Sequence, residues 1–289
     1  MDILKGTGVA LITPFHDDLS VDFEGLRALI DYVSPHVDYL VVHGTTAEAA
    51  TTNTEEKKEI FEFVKAHNSA GLPLVYGIGG NNTAAVLDTI RSTDLTGVSA
   101  ILSVSPYYNK PSQEGIYQHY RKIADAAPLP VILYNVPGRT GSNISVATTL
   151  RLAQHPNIIG TKDASGDLNQ HMRITREKPE DFLLISGDDM LTLAMMAVGS
   201  VGAISVIANG LPDIMGSVTT HALAGNFKAA NAANSRMLEL NPLLYEESNP
   251  VGVKEVLKQK GVCGNQVRLP LVAASESLAG RIKEALEKL

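Results

Sequence analysis

Along the 289-residue chain, short uninterrupted apolar runs alternate with longer stretches in which apolar residues recur at helical spacing. Eight such runs stand at residues 8–13, 39–43, 74–78, 100–104, 131–134, 158–162, 183–186 and 202–206. Each is entered from an amphipathic stretch and left through Gly, Pro, Ser or Asn, the residues that break regular backbone. The clearest helical patterns lie at 55–66 and 113–126. Strands that are apolar throughout, rather than at every second position, are covered on both faces and therefore parallel. Eight strand–helix units in succession predict a (β/α)8 TIM barrel over residues 1–225.

Beyond the eighth run the pattern is helical. Residues 211–224 read as the last barrel helix, and 227–240, 251–260 and 275–289 follow, with breaks at Asn241-Pro242, Asn249-Pro250 and Leu269-Pro270. Residues 226–289 are thus expected to form a C-terminal helical extension, either covering the barrel or contacting another subunit. The interval from Met190 to Pro212 carries no charge and is long enough to span a bilayer. Thr192, Gly199-Ser200, Gly202, Ser205 and Asn209-Gly210 interrupt it, and its period changes midway. A buried helix followed by a buried strand is the expected arrangement.

Composition narrows the function. The chain is 44% hydrophobic and 19% charged, as in soluble globular proteins. A net charge of −7 disfavours bulk attraction to nucleic acid or anionic membrane, so no nucleic-acid or membrane partner is expected. A single cysteine, Cys263, excludes an internal disulfide and suits a reducing compartment, here the cytoplasm. No basic segment followed by an apolar one opens the sequence, and no signal peptide is read.

In barrels of this kind chemistry gathers in the loops after the strands. The sixth run ends in Lys162, followed by small polar residues. A lysine there either snorkels to water or acts as a nucleophile. At its ordinary pKa roughly one lysine in 2500 is neutral at pH 7, and burial raises that fraction. Gly44-Thr45-Thr46 offers hydroxyls and amides for a carboxylate or phosphate, or simply a helix cap. Tyr107-Tyr108 lie in a proline-stiffened loop, and Tyr134 closes the fifth run, where a phenol beside an amine can carry protons. Arg139, in a Gly/Pro loop, can hold a carboxylate bidentately or lie solvated. Gly77-Ile78-Gly79-Gly80-Asn81-Asn82 lacks the third glycine of a dinucleotide loop and reads as a turn. Asp188-Asp189 suits either Mg2+ or a helix cap, and the eight histidines show no metal-binding spacing.

Taken in order, Gly44-Thr45-Thr46-x-Glu48, Tyr107-Tyr108-Asn109-Lys110-Pro111-x-Gln113-Glu114-Gly115, Tyr134-Asn135-Val136-Pro137-Gly138-Arg139-Thr140-Gly141 and the Lys162 segment resemble the dihydrodipicolinate synthase branch of the N-acetylneuraminate lyase family of class I pyruvate aldolases. The resemblance spans nearly the whole chain. It implies Schiff-base chemistry between pyruvate and aspartate 4-semialdehyde at Lys162. It further implies a proton relay of Tyr134, Thr45 and Tyr108, with Tyr108 supplied by a neighbouring subunit of a homotetramer. Thr45 and Thr46 would hold pyruvate's carboxylate and Arg139 the semialdehyde's, with Gly187 and Ile204 lining the site and no metal or organic cofactor. Ala47 stands where the family often has glycine. Thr54, Lys57 and Ala85 replace partners that lysine-inhibited members carry, while Asn81 and Tyr107 persist as effector-site remnants, so weak or absent feedback by lysine is expected. A sugar-acid aldolase of the same family, a keto-acid-binding barrel without catalysis and a metal-dependent aldolase are the competing readings.

Overall fold

β-branched and leucine-rich runs form strands because their side chains pack on a pleat covered from both sides. A computed structural model describes residues 2–289 and gives eight strands: β1 Gly6–Ala10, β2 Tyr39–Val42, β3 Leu74–Gly77, β4 Val98–Val104, β5 Val131–Asn135, β6 Ile158–Asp163, β7 Leu183–Ser186 and β8 Gly202–Ser205. They close in chain order into a parallel barrel, the TIM-barrel fold expected from the sequence. Each predicted run overlaps its strand, and four contain it whole; β1 and β4 begin two residues earlier than the apolar pattern, and β5 and β6 run one residue further, to Asn135 and Asp163.

Helices begin where a side chain satisfies the free amides of the first turn. Asn53 and Glu56 form a reciprocal capping box for Thr54–His67, Asn82 caps Thr83–Ser92 and Ser112 caps Gln113–Ala126. The Asn81-Asn82 segment is therefore the entry to a helix. The charge-free interval contains the helix Thr192–Ala197 and then β8. Among the described residues no helix is long and apolar enough to cross a membrane.

The chain packs as two compact units, residues 2–5 with Pro73–Ile204 and Gly6–Leu72 with Ser205–Leu289. In the first, β3 through β7 pair in parallel, with register shifts between Leu74 and Val75 and between Val131 and Ile132, and their apolar side chains fill the interior, with Ile101, Ile132, Leu133 and Leu184 fully buried. In the second, β1 pairs with β2 and the helix Pro212–Leu223 lies on it, where Thr7 Oγ1 and Thr219 Oγ1 share a 2.7 Å hydrogen bond. The helices Phe227–Arg236, Leu243–Glu246, Val251–Gln259 and Glu276–Leu286 belong to this second unit. The division by packing thus groups the C-terminal helices with the first two strands.

Candidate active site

β5 and β6 run parallel with Tyr134 opposite Lys162 and Asn135 opposite Asp163. Register partners on neighbouring strands face the same side of the sheet, which brings amine and phenol together. Lys162 Nζ lies 4.3 Å from the centre of the Tyr134 ring. Both side chains are buried, Lys162 at 5% exposure and Tyr134 at 7%. Among the described residues no carboxylate pairs with Lys162. The lysine stem occupies space that Gly187 leaves open: a methyl group there would stand 3.0 Å from Lys162 Cε. The Gly187 N–H in turn donates to the Asp163 carbonyl at 2.8 Å, tying the end of β7 to that of β6.

Behind this pair lies a buried amide and carboxylate network that sequence reasoning missed. Asn135 Nδ2 donates to Asn143 Oδ1 at 2.8 Å and to Asp163 Oδ1 at 3.1 Å. Its own Oδ1 accepts from the Ile144 N–H, and Asn143 Nδ2 donates to Gln170 Oε1. His171 stands with Nδ1 3.6 Å from Asp163 Oδ2 and Nε2 2.8 Å from Ser200 Oγ. These links fix the two strand ends that carry Tyr134 and Lys162. Their signal in the sequence was weak, because an asparagine two residues before a proline reads first as a turn former.

The tyrosine loop is held differently. Asn81 Nδ2 donates to the Tyr107 carbonyl at 3.1 Å, and Asn109 Nδ2 donates back to the Asn81 carbonyl at 3.0 Å. Tyr108 is left-handed at φ 70° and Lys110 at φ 43°, both costly conformations for residues with side chains. The turn presents Tyr108 outward at 88% exposure. Within one chain, then, Tyr108 is not buried against Lys162. Arg139 sits exposed on the short helix Pro137–Thr140. The next residue but one, Gly141, is left-handed at φ 70°, and Lys110 Cε would lie 2.8 Å from a methyl group placed on it. The tyrosine and arginine loops are therefore neighbours.

The threonine loop belongs to the second unit. Thr45–Ala47 form one turn of 3-10 helix between two left-handed residues, His43 at φ 57° and Glu48 at φ 54°. Thr46 Oγ1 accepts from Asn249 Nδ2 at 3.1 Å, and Thr13 Oγ1 donates to the Ala47 carbonyl at 2.8 Å. The Glu48 carboxylate accepts from Lys254 Nζ at 2.5 Å and from the Arg268 N–H at 2.9 Å. Burial pulls the Lys254 ammonium below the ordinary lysine range, and the Glu48 charge opposes that pull. His43 is buried too, which pushes its pKa down to about 4, and its Nε2 meets the Lys57 carbonyl at 2.9 Å. Ile204 lies within β8 at 1% exposure. Asp188 Oδ1 accepts from the Met190 and Leu191 N–H groups in the turn before the helix Thr192–Ala197, which itself has no side-chain cap. Among the described residues no cluster of three or more His, Cys, Asp or Glu could hold a metal ion.

Chemically, a buried amine without a counter-charge beside a phenol is equipped for nucleophilic attack on a carbonyl and for proton transfer at the resulting adduct. Comparison with known proteins points the same way. The family model described as the dihydrodipicolinate synthetase family matches residues 3–289. A 4-hydroxy-tetrahydrodipicolinate synthase of Cytophaga hutchinsonii is 51% identical, with 100% of this chain and 98% of the relative covered. The pyruvate complex of the dihydrodipicolinate synthase of Acinetobacter baumannii superimposes with a TM-score of 0.94 at 38% identity, covering 99% of this chain and 98% of that one. A dihydrodipicolinate synthase variant described as monomeric gives 0.93 at 34% identity, covering 99% and 97%.

Proposed function

This chain belongs to the dihydrodipicolinate synthetase family, and from that premise we propose that it condenses pyruvate with L-aspartate 4-semialdehyde through a Schiff base on Lys162. The observation that carries the assignment of the nucleophile is the buried Lys162 amine, opposite Tyr134 in register and free of any carboxylate partner. Its lone pair attacks the ketone carbon of pyruvate, and loss of water leaves an imine. Once protonated, that imine draws electrons from the neighbouring methyl group, which gives up a proton to form the enamine. The enamine carbon then adds to the aldehyde of the semialdehyde. Attack by the semialdehyde's amine on the imine carbon closes the ring and releases Lys162, giving 4-hydroxy-tetrahydrodipicolinate.

Protons move at several points in this sequence, and Tyr134, adjacent to Lys162, is the group placed to carry them. The family resemblance assigns Thr45 and Tyr108 to the same relay, Thr45 and Thr46 to pyruvate's carboxylate, Arg139 to the semialdehyde's, and Gly187 and Ile204 to the lining. The outward, strained presentation of Tyr108 supports its use by a second copy of the chain, and hence a homo-oligomer. Gly187 contributes by leaving room for the lysine stem.

Borohydride reduction in the presence of pyruvate, followed by peptide mass spectrometry, tests the proposal. A reduced pyruvyl adduct on Lys162 is expected; an adduct on another lysine, or none, overturns it. Regulation is testable separately. Lys57 and Ala85 stand where lysine-inhibited relatives carry recognition groups, and a cationic effector meets the like charge of Lys57. Millimolar lysine is therefore expected to leave the initial rate nearly unchanged, and strong inhibition would refute this.

A further inference from the structure

The 3-10 turn carrying Thr45 and Thr46 is flanked by two left-handed non-glycine residues, His43 and Glu48. Such backbone persists only where its surroundings over-determine it. Beside Thr13, which donates to the Ala47 carbonyl, those surroundings come from one distant piece of chain, residues 249–268. Asn249 reaches Thr46 Oγ1, Lys254 Nζ reaches Glu48, and the Arg268 backbone reaches the other oxygen of Glu48. The Arg268 guanidinium continues the contact outward to both oxygens of Glu56 and to the Thr51 carbonyl. Lys254 is itself completed by the Gln266 carbonyl at 2.7 Å and the face of Phe15 at 4.3 Å. Asn249 and Lys254 are buried, and Arg268 is half-buried.

The direction of one hydrogen bond decides what this grip does. A threonine hydroxyl has a single hydrogen to donate and two lone pairs to accept with. Because Asn249 Nδ2 donates to Thr46 Oγ1, one lone pair is occupied and the hydroxyl hydrogen is turned elsewhere. An oxygen fixed as acceptor on one side presents its hydrogen on another, as a substrate carboxylate requires. We propose that Asn249, with the Glu48–Lys254 pair that sets the turn, is a positioning residue that orients Thr46 as a hydrogen-bond donor to the carboxylate of the keto acid. The C-terminal segment acts on keto-acid affinity through this contact, and the inference rests on the Schiff-base reading given above.

The test exchanges donor for acceptor at constant shape. In Asn249→Asp the new carboxylate can only accept, so Thr46 turns its hydrogen inward and meets the substrate with lone pairs. KM for pyruvate is expected to rise about tenfold, the equivalent of one charge-assisted hydrogen bond, while KM for the semialdehyde moves by less than about twofold. In the double variant Asn249→Asp/Thr46→Val, pyruvate KM should equal that of Thr46→Val alone, since Asn249 acts on the keto acid through that hydroxyl. A merely structural role would instead make the two effects add, and that result overturns the proposal. Should Asn249→Asp fail to fold, Asn249→Ser keeps a small donor in place. It is expected to give a pyruvate KM between wild type and Thr46→Val, and an unchanged KM in the folded protein refutes the proposal. Borohydride trapping of wild-type protein separates the two levels: no pyruvyl adduct removes the Schiff-base reading, whereas a normal adduct with unaltered pyruvate KM in Asn249→Asp removes this one alone.

Discussion

Lys162 and Lys254 are both buried, at 5% and 0% exposure, and each lies 4.3 Å from the centre of an aromatic ring, yet the rest of their surroundings differs. Lys254 is neutralised by Glu48 at 2.5 Å, donates to a backbone carbonyl and lies over the Phe15 ring. Lys162 has only the Tyr134 ring beside it and a glycine in place of a side chain next to its stem. An ammonium taken out of water is costly unless a counter-charge and hydrogen bonds replace its hydration. At Lys254 the fold supplies every replacement, so the lysine is fully engaged in holding two distant segments together. At Lys162 it supplies almost none, which leaves the nitrogen available to form a bond with something that is not protein. Burial alone does not distinguish a structural lysine from a chemical one; the partner list does.

Replacing each lysine by methionine tests that contrast most directly. Lys162→Met is expected to lower turnover by roughly a thousandfold or more, since the covalent route is lost, while leaving the thermal midpoint unchanged or higher. Lys254→Met leaves Glu48 as a lone buried carboxylate and should cost about 3–5 kcal/mol of stability. Removing the charge as well, in Lys254→Met/Glu48→Gln, should recover most of that loss, because replacing a buried pair as a whole is far less costly than breaking it. Turnover of Lys162→Met and denaturation curves of the four proteins check all three statements. A large stability loss in Lys162→Met, or none in Lys254→Met, would erase the distinction between the sites.

Most of the fold and half of this contrast could be read from the sequence, for identifiable reasons. The strands were legible because each apolar run is local and its breakers adjoin it. Lys162 was legible because it closes such a run and the neighbouring motifs stand in a recognisable order. Lys254 was not. It falls within a helical stretch where a lysine normally snorkels, and its partner Glu48 is 206 residues away. The same holds for Asn249 and Thr46, separated by 203 residues. Gly187 was placed at the site by resemblance, but its physical reason, room for the stem of Lys162, depends on side-chain packing that no pattern along one strand encodes. Tyr108 was assigned to the relay, and only the backbone angles reveal how its turn presents the phenol outward.

Acid should load the two regions alike and so ask whether their polar difference is confined to the lysines. His119, on the helix Gln113–Ala126, and His43, before the threonine turn, are each 4% exposed, and burial pushes both down to about 4. In the unfolded chain each takes its proton near 6.5. The unfolded state therefore binds more protons between about pH 6.5 and 4, and stability present above that window is lost as pH falls through it. On the order of 3 kcal/mol per histidine is available at full development. Melting temperatures recorded from pH 7.5 to 4 should fall steadily below 6.5, and a flat profile would contradict the burial of both imidazoles.

The smallest expected effect is kinetic and concerns Cys263, which packs against the start of the helix Phe23–Val33, where a methyl on Gly25 would lie 3.0 Å from its Cβ. Burial pushes its thiol up to about 12, while the charge of Lys254 pulls the other way. At neutral pH it should react with a disulfide reagent roughly two to three orders of magnitude more slowly than a free thiol. Lys254→Met then sets two effects in opposition. Losing the ammonium alone makes the thiolate scarcer and slows labelling. Loosening the segment that Lys254 holds lowers the cost of local opening and quickens it. If Lys254 is a structural clamp, the second effect wins and Cys263 reacts faster, whereas Lys162→Met leaves the rate where it was. Slower labelling in Lys254→Met would mean that the ion pair tunes charge without holding the chain, and that the two buried lysines differ less than their partners suggest.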